Sequence, residues 1–201
     1  GYYVIGLDAD KRRIDSMTSN MGHLLWSGIV PNERAAVIAG HLMSDAMFSG
    51  WGVRTLSDED AGYNPIGYHC GTIWPHDNAI VAMGLERYGF RDEANRICMA
   101  QLEAAGFSEA RLPEAFAGLD RVRGSFPVPY PTACSPQAWA TGAPFVFLKV
   151  MLGLDARDGK VIVDPQVPEQ IGRVFVHGLH AFGTHWDVEG YGGNGQVGPT
   201  H

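Results

Sequence analysis

Apolar side chains recur at helical spacing through most of the chain, and after Leu154 the pattern changes to alternation. Asp15-Ser16 can cap a helix running from Met17 to about Ile29, with Met21, Leu24, Leu25 and Trp26 as its apolar positions. Pro31-Asn32-Glu33 opens a second, in which Ala35, Ala36, Ile38, Ala39, Leu42, Met43 and Met47 recur. Residues 48–73 carry Gly, Asn, Asp and aromatics without a period. Ordered loops of that length are usually functional. Pro75 suits the first position of a third helix, followed by Ile80, Val81, Met83, Gly84, Leu85 and Tyr88. Arg91-Asp92-Glu93 opens a fourth, with Ala94, Ile97, Met99, Ala100, Leu102 and Ala105. A second loop, residues 106–133, leads to a fifth helix from Ser135-Pro136. That helix is apolar nearly all round, through Trp139, Phe145, Phe147, Leu148, Val150 and Met151, which predicts burial. Residues 160–164 and 173–177 read as strands, and the glycine-rich run from Gly190 to Gly195 as a frayed tail.

This order predicts a mainly α protein, with antiparallel helix pairs that carry functional loops at one end: an α/α toroid or a helical bundle. Five helices are few for a closed toroid. The length, 201 residues, fits one ordinary domain or part of a larger one. Hydrophobic residues at 45% against 18% charged favour a packed core over disorder. A net charge of -7 argues against nucleic acid and anionic membrane as partners, because phosphate binding needs clustered Lys and Arg. The basic runs at Lys11-Arg12-Arg13 and Arg121–Arg123 are short and read as solvated turns. Cys70, Cys98 and Cys134 lack Cys-x-x-Cys spacing, which disfavours a disulfide framework or structural zinc and fits a reducing, cytoplasmic setting. No apolar run has transmembrane length and no signal peptide is visible. The start at Gly1 reads as beginning mid-fold, so a piece of something larger is expected.

The candidate chemistry lies in the loops. Gly67 to Asn78 packs Tyr68, Trp74, His69, His76 and Asp77 around a glycine, a mixture that suits the wall of a polar pocket. Glu114 sits among Leu112, Ala115 and Phe116, so its loop is expected to fold inward. An inward carboxylate must be paired, hydrogen-bonded or functional. An arbitrary Glu is a solvated surface residue in roughly nine cases in ten. A carboxylate facing aromatics is the usual equipment of a glycosidase. Trp51, Tyr68 and Trp74 are platform candidates for sugar rings, while Arg54, Asn64, His69, Asp77 and Gln137 can meet sugar hydroxyls. No metal motif, Gly-x-Ser-x-Gly elbow or phosphate loop appears, so neither metal nor cofactor is expected.

Five blocks carry a family resemblance: Lys11 to Gly28, Ser49 to Ser57, Tyr68 to Asn78, Leu112-Pro113-Glu114 and Pro127 to Trp139. In order and spacing they resemble the C-terminal half of bacterial amylo-α-1,6-glucosidase-like (glycogen debranching enzyme-like) proteins. These are related to mannosylglycerate and glucosylglycerate hydrolases. The resemblance implies the C-terminal half of an (α/α)6 toroid, a six-hairpin glycosidase fold, over residues 1–154. A short β extension (155–189) and a flexible tail (190–201) would follow. It also implies inverting hydrolysis of α-glucans or small α-glucosides, with Glu114 as general base and Tyr68 and Trp74 contacting sugar. The family's general acid is an Asp of the first half of the barrel, which no stretch here matches. The expectation is therefore a fragment completed by a separate N-terminal half or by self-association. Alternatives are a carbohydrate-binding or partner-docking remnant without turnover, and a glycoside phosphorylase.

Overall fold

The computed structural model describes residues 1–122 and 125–200, so Arg123 of the second basic run lies outside the described residues. The chain divides into two compact units, Gly1–Pro144 and Phe145–His201.

In the first unit, a short hairpin of β1 (Gly6–Leu7) and β2 (Arg13–Ile14) precedes four helices: α1 (Asn20–Ser27), α2 (Asn32–Leu42), α3 (Pro75–Arg87) and α4 (Arg91–Ala105). Helix α3 packs against both α1 and α4, and α1 also packs on α2. Pro75 opens α3 as expected, because its missing N–H is one the first turn leaves unpaired anyway. Two helices are shorter than their periodicity predicts. α1 starts at Asn20 rather than Met17, because Thr18 is drawn into a bridge with Leu56. α2 stops at Leu42, and Met47 is buried in a loop whose N–H groups turn back on the carbonyl of Ser44.

Helix α5 (Ala138–Leu152) begins after Gln137, whose side-chain oxygen accepts the Ala140 N–H at 2.8 Å as a cap. It is not buried all round. Ala140, Ala143, Phe147 and Met151 are buried, but Trp139 and Phe145 are 65% and 71% exposed.

In the second unit, β3 (Asp155–Arg157) pairs with β4 (Lys160–Ile162). β5 (Arg173–Ala181), β6 (Thr184–Tyr191) and β7 (Asn194–Pro199) form an antiparallel sheet in that order. Leu152, Val161, Val167, Val174 and Val188 form its core. Asp158-Gly159 and Phe182-Gly183 make two-residue turns with positive φ throughout, the geometry that matches strand twist in tight hairpins. The stretch expected to fray is instead strand β7, joined to β6 through Gly192-Gly193. Gly195 serves packing: a Cβ there would come within 2.5 Å of Pro165.

Candidate functional site

Two long loops, residues 43–74 and 106–137, meet over the start of α3. Polar side chains of the helices pin the first. Asn78 accepts from the Val53 N–H at 2.7 Å and donates to the carbonyls of Val53 and Trp74, while Gln101 donates to Trp51 O at 2.8 Å. Gly52 suits this spot, because an added Cβ would come within 2.5 Å of Gln101, 2.7 Å of Ile73 and 2.8 Å of Asn78. The loops are then stitched together by a two-way pairing of Ile73 with Phe116, at 3.0 and 2.8 Å. Gly118 lies against the Gly71 carbonyl, leaving no room for a Cβ. This pairing sets Glu114 beside Tyr68 and Trp74.

Glu114 is 8% exposed. Its Oε1 accepts the Tyr68 hydroxyl at 2.7 Å and its Oε2 accepts the Cys134 N–H at 3.2 Å, so both oxygens are held by donors. The bond to Glu114 pushes the Tyr68 phenol up to about 12, so Tyr68 stays a donor at neutral pH. Around the pair, Tyr68 packs on His69, Trp74 and Tyr130 at centroid distances of 4.5, 4.7 and 5.4 Å. His69 stacks on the face of Trp74 at 5.3 Å, and the Trp74 indole N–H donates to Thr72 Oγ1 and Tyr68 O. Trp74 is buried, so the exposed rings of this wall are Tyr68 and His69.

His69 and Trp74 also line a cleft of about 550 Å³, together with Thr18, His23, Asp60 and Asp77 among others. Asp77, in the first turn of α3, places Oδ1 2.5 Å from His23 Nε2, and the helix N-terminus favours its negative charge. That bond raises the pKa of His23 against the opposing effect of burial. His76 shifts the opposite way: burial holds it neutral despite the attraction of Asp77 and Glu114. Among the described residues, Asp77 Oδ2 and His76 Nδ1 are buried without a hydrogen-bond partner, and no group of three metal-ligating side chains occurs.

The mannosylglycerate hydrolase MGH1-like glycoside hydrolase domain matches residues 5–119, more than half of the chain and inclusive of Tyr68 to Asn78 and Glu114. The chain belongs to this glycoside hydrolase family. The match names the mannosylglycerate hydrolase side of the resemblance and not the amylo-α-1,6-glucosidase-like proteins. Comparison with curated proteins returns no match. Among solved structures, the chain is similar to the GH63 mannosylglycerate hydrolase from Thermus thermophilus in complex with glucose. The TM-score is 0.52 at 20% identity, over 69% of this chain and 30% of that one. It is also similar to the neutral trehalase Nth1 from Saccharomyces cerevisiae, with a TM-score of 0.57 at 15% identity over 75% of this chain and 26% of that one. At these identities the likeness is one of fold. The chain spans less than a third of the length of either structure.

The residues expected from sequence fall into three groups. Tyr68 bonds to Glu114 and packs on His69 and Trp74, and Asp77 lies with His69 and Trp74 on the cleft. Trp51 and Arg54 are corrections. Trp51 is 2% exposed, edge-on to Phe107 with the Arg121 guanidinium over its face, so it is core rather than platform. Arg54 is fully buried; it donates to Gly118 O and Asp45 O at 2.8 and 2.9 Å and pairs with Asp120, bracing one loop against the other. Gln137 caps α5 and does not line the cleft. Glu114 is also absent from the cleft lining. Sequence reasoning missed His23. Its signal was a pair of glycines inside helices: a Cβ on Gly22 would come within 2.5 Å of Val81, and one on Gly84 within 2.6 Å of Gly22 O. Those glycines let α1 approach α3 closely enough for His23 to reach Asp77.

Proposed function

We propose that this chain carries the base side of an inverting α-glycosidase site, of the amylo-1,6-glucosidase or glycogen-debranching kind, acting on α-glucans or small α-glucosides. The observation that supports it is the seating of Glu114: a buried carboxylate held by Tyr68 and the Cys134 N–H beside an aromatic wall. A general base must present a fixed carboxylate to water on the face of the sugar opposite the leaving group. Tyr68, His69 and Trp74 then support the sugar, because C–H faces of pyranoses pack on aromatic rings. Inversion needs a second carboxyl group about 6.5–9.5 Å away. We assign that acid, and the rest of an (α/α)6 toroid, to a further segment of the enzyme, in the same chain or in a partner. The three free thiols fit a cytoplasmic setting for it.

The test is hydrolysis of isomaltose and methyl α-glucoside by the complete enzyme, with the product anomer followed by NMR. The expected first product is β-glucose, and Glu114→Gln is expected to cut turnover by about 10²–10⁴-fold. Retained turnover removes Glu114 from the base role, and α-glucose as first product rules out inversion. One observation favours a second reading, a carbohydrate-binding remnant: Glu114 does not line the cleft. Calorimetric binding of a glucoside with no product over long incubation would select it.

A further inference from the structure

We infer that His23, held in place by Asp77, is a hydrogen-bond donor to substrate in the cleft. This rests on the carbohydrate reading above and adds a residue and a pH dependence to it. Asp77, Val81 and Gly84 follow one another at i, i+4 and i+7, so they share one face of α3. The two helical glycines bring α1 against that face, and His23 of α1 arrives opposite Asp77. Its Nε2 is committed to Asp77 Oδ1 at 2.5 Å. The imidazole side chain keeps 40% of its surface exposed, and both residues line the same cleft. With Nε2 taken, Nδ1 is the nitrogen left to meet a ligand.

Asp77 is built to orient this ring. It is 7% exposed, anchored in the first turn of α3, and bonded through one oxygen only; Oδ2 is buried without a partner among the described residues. A pair serving only to staple two helices has no need of a half-satisfied buried carboxylate. Among the described residues no Lys or Arg lines the cleft, so positive charge there comes from histidine. The titratable groups that line the cleft with His23 are Asp77 and His76 of α3, and Asp60, His69 and Cys70 of the first loop. Asp77 raises the pKa of His23, while burial keeps His76 neutral.

The partner chemistry follows from the proton. Protonated His23 offers Nδ1–H to an acceptor-only oxygen, the ring or glycosidic oxygen of a sugar. As pH rises through the raised pKa, Nδ1 loses that proton, the donor becomes an acceptor, and the contact is lost.

The test is an NMR titration of the protein with methyl α-glucoside at a series of pH values from about 5.5 to about 8.5, across the range in which histidines titrate. Wild type, His23→Gln, Asp77→Asn and Trp74→Ala are compared, with circular dichroism checking the fold of each. Wild type is expected to bind about tenfold more weakly at the highest pH, the worth of one charge-assisted hydrogen bond. His23→Gln is expected to bind weakly and without pH dependence. Asp77→Asn, which keeps the shape and loses the charge, should move the midpoint of the pH profile downward. If His23→Gln does not fold, the Asp77→Asn profile decides alone, and an unmoved midpoint overturns the inference. A pH-independent wild type, or a His23→Gln that matches wild type, also overturns it. In that case binding still weakened by Trp74→Ala leaves the carbohydrate site standing. Absence of binding by every form, wild type included, overturns the carbohydrate reading and this inference together.

Discussion

Tyr68 donates its hydroxyl to Oε1 of Glu114 at 2.7 Å, from 46 residues earlier in the chain. Neither residue is positioned by its own loop alone. The Ile73–Phe116 pairing brings the loops into register, and the Cys134 N–H, 20 residues further along the loop of Glu114, completes the carboxylate. A carboxylate held this way keeps its orientation when substrate and water arrive, the preorganisation that a general base requires.

Tyr68→Phe keeps the ring and deletes the donor. It is expected to lower kcat of the complete enzyme by roughly tenfold or more, with a smaller change in KM, since a ring platform would survive. A raised KM at unchanged kcat would make Tyr68 a platform and nothing more.

Gly84→Ala should destabilise the protein by about 1–3 kcal/mol, the usual cost of forcing an extra methyl group between packed elements. The added Cβ would fall 2.6 Å from Gly22 O and 2.7 Å from the Trp26 N. Gly40→Ala is the control: it lies in α2 with nothing within 4 Å of an added Cβ. Helix propensity predicts a gain of about 0.5–1 kcal/mol there. Urea unfolding of the two variants should shift in opposite directions.

Arg54→Met is expected to cost about 2–4 kcal/mol, because it removes the bonds that a fully buried guanidinium makes to Gly118 O, Asp45 O and Asp120. Arg54→Lys should recover little, since an ammonium cannot reach both carbonyls and Asp120 with the fork geometry of a guanidinium. Chemical denaturation of both variants measures this, and a stability equal to wild type in Arg54→Lys would contradict it.

Acid sensitivity of the second unit should trace in part to Asp187, alongside Asp155, whose pKa the Ala156 N–H and Arg157 also lower. The bond from His177, with those from Gly178 and Thr200, lowers its pKa to about 2. A depressed carboxylate stabilises the folded state above its unfolded pKa of about 3.9, and that stability drains away as pH falls through the folded value. Thermal melts should therefore lose stability between about pH 4 and pH 2. Asp187→Asn should flatten that limb while lowering the melting temperature at neutral pH.

What was legible in the sequence was local. Pro75 fixes φ and lacks an N–H, so it announces the start of α3 wherever the chain goes. The acidic first turn of α4 marks its start just as locally. The inward turn of Glu114 was readable from its apolar neighbours Leu112, Ala115 and Phe116, all of which are buried. Tertiary structure decided the rest, because it depends on which distant groups meet. Trp51 and Arg54 sit in a polar, aromatic loop that resembles a ligand surface, and only the folding of that loop over Phe107, Gly118 and Asp120 makes them interior. The glycine-rich tail has no local order of its own, yet strand pairing with β6 gives its backbone groups partners. His23 looked remote from every other histidine until Gly22 and Gly84 allowed α1 to close on α3. Its meeting with Asp77 is a fact of backbone approach that no periodicity in one dimension records.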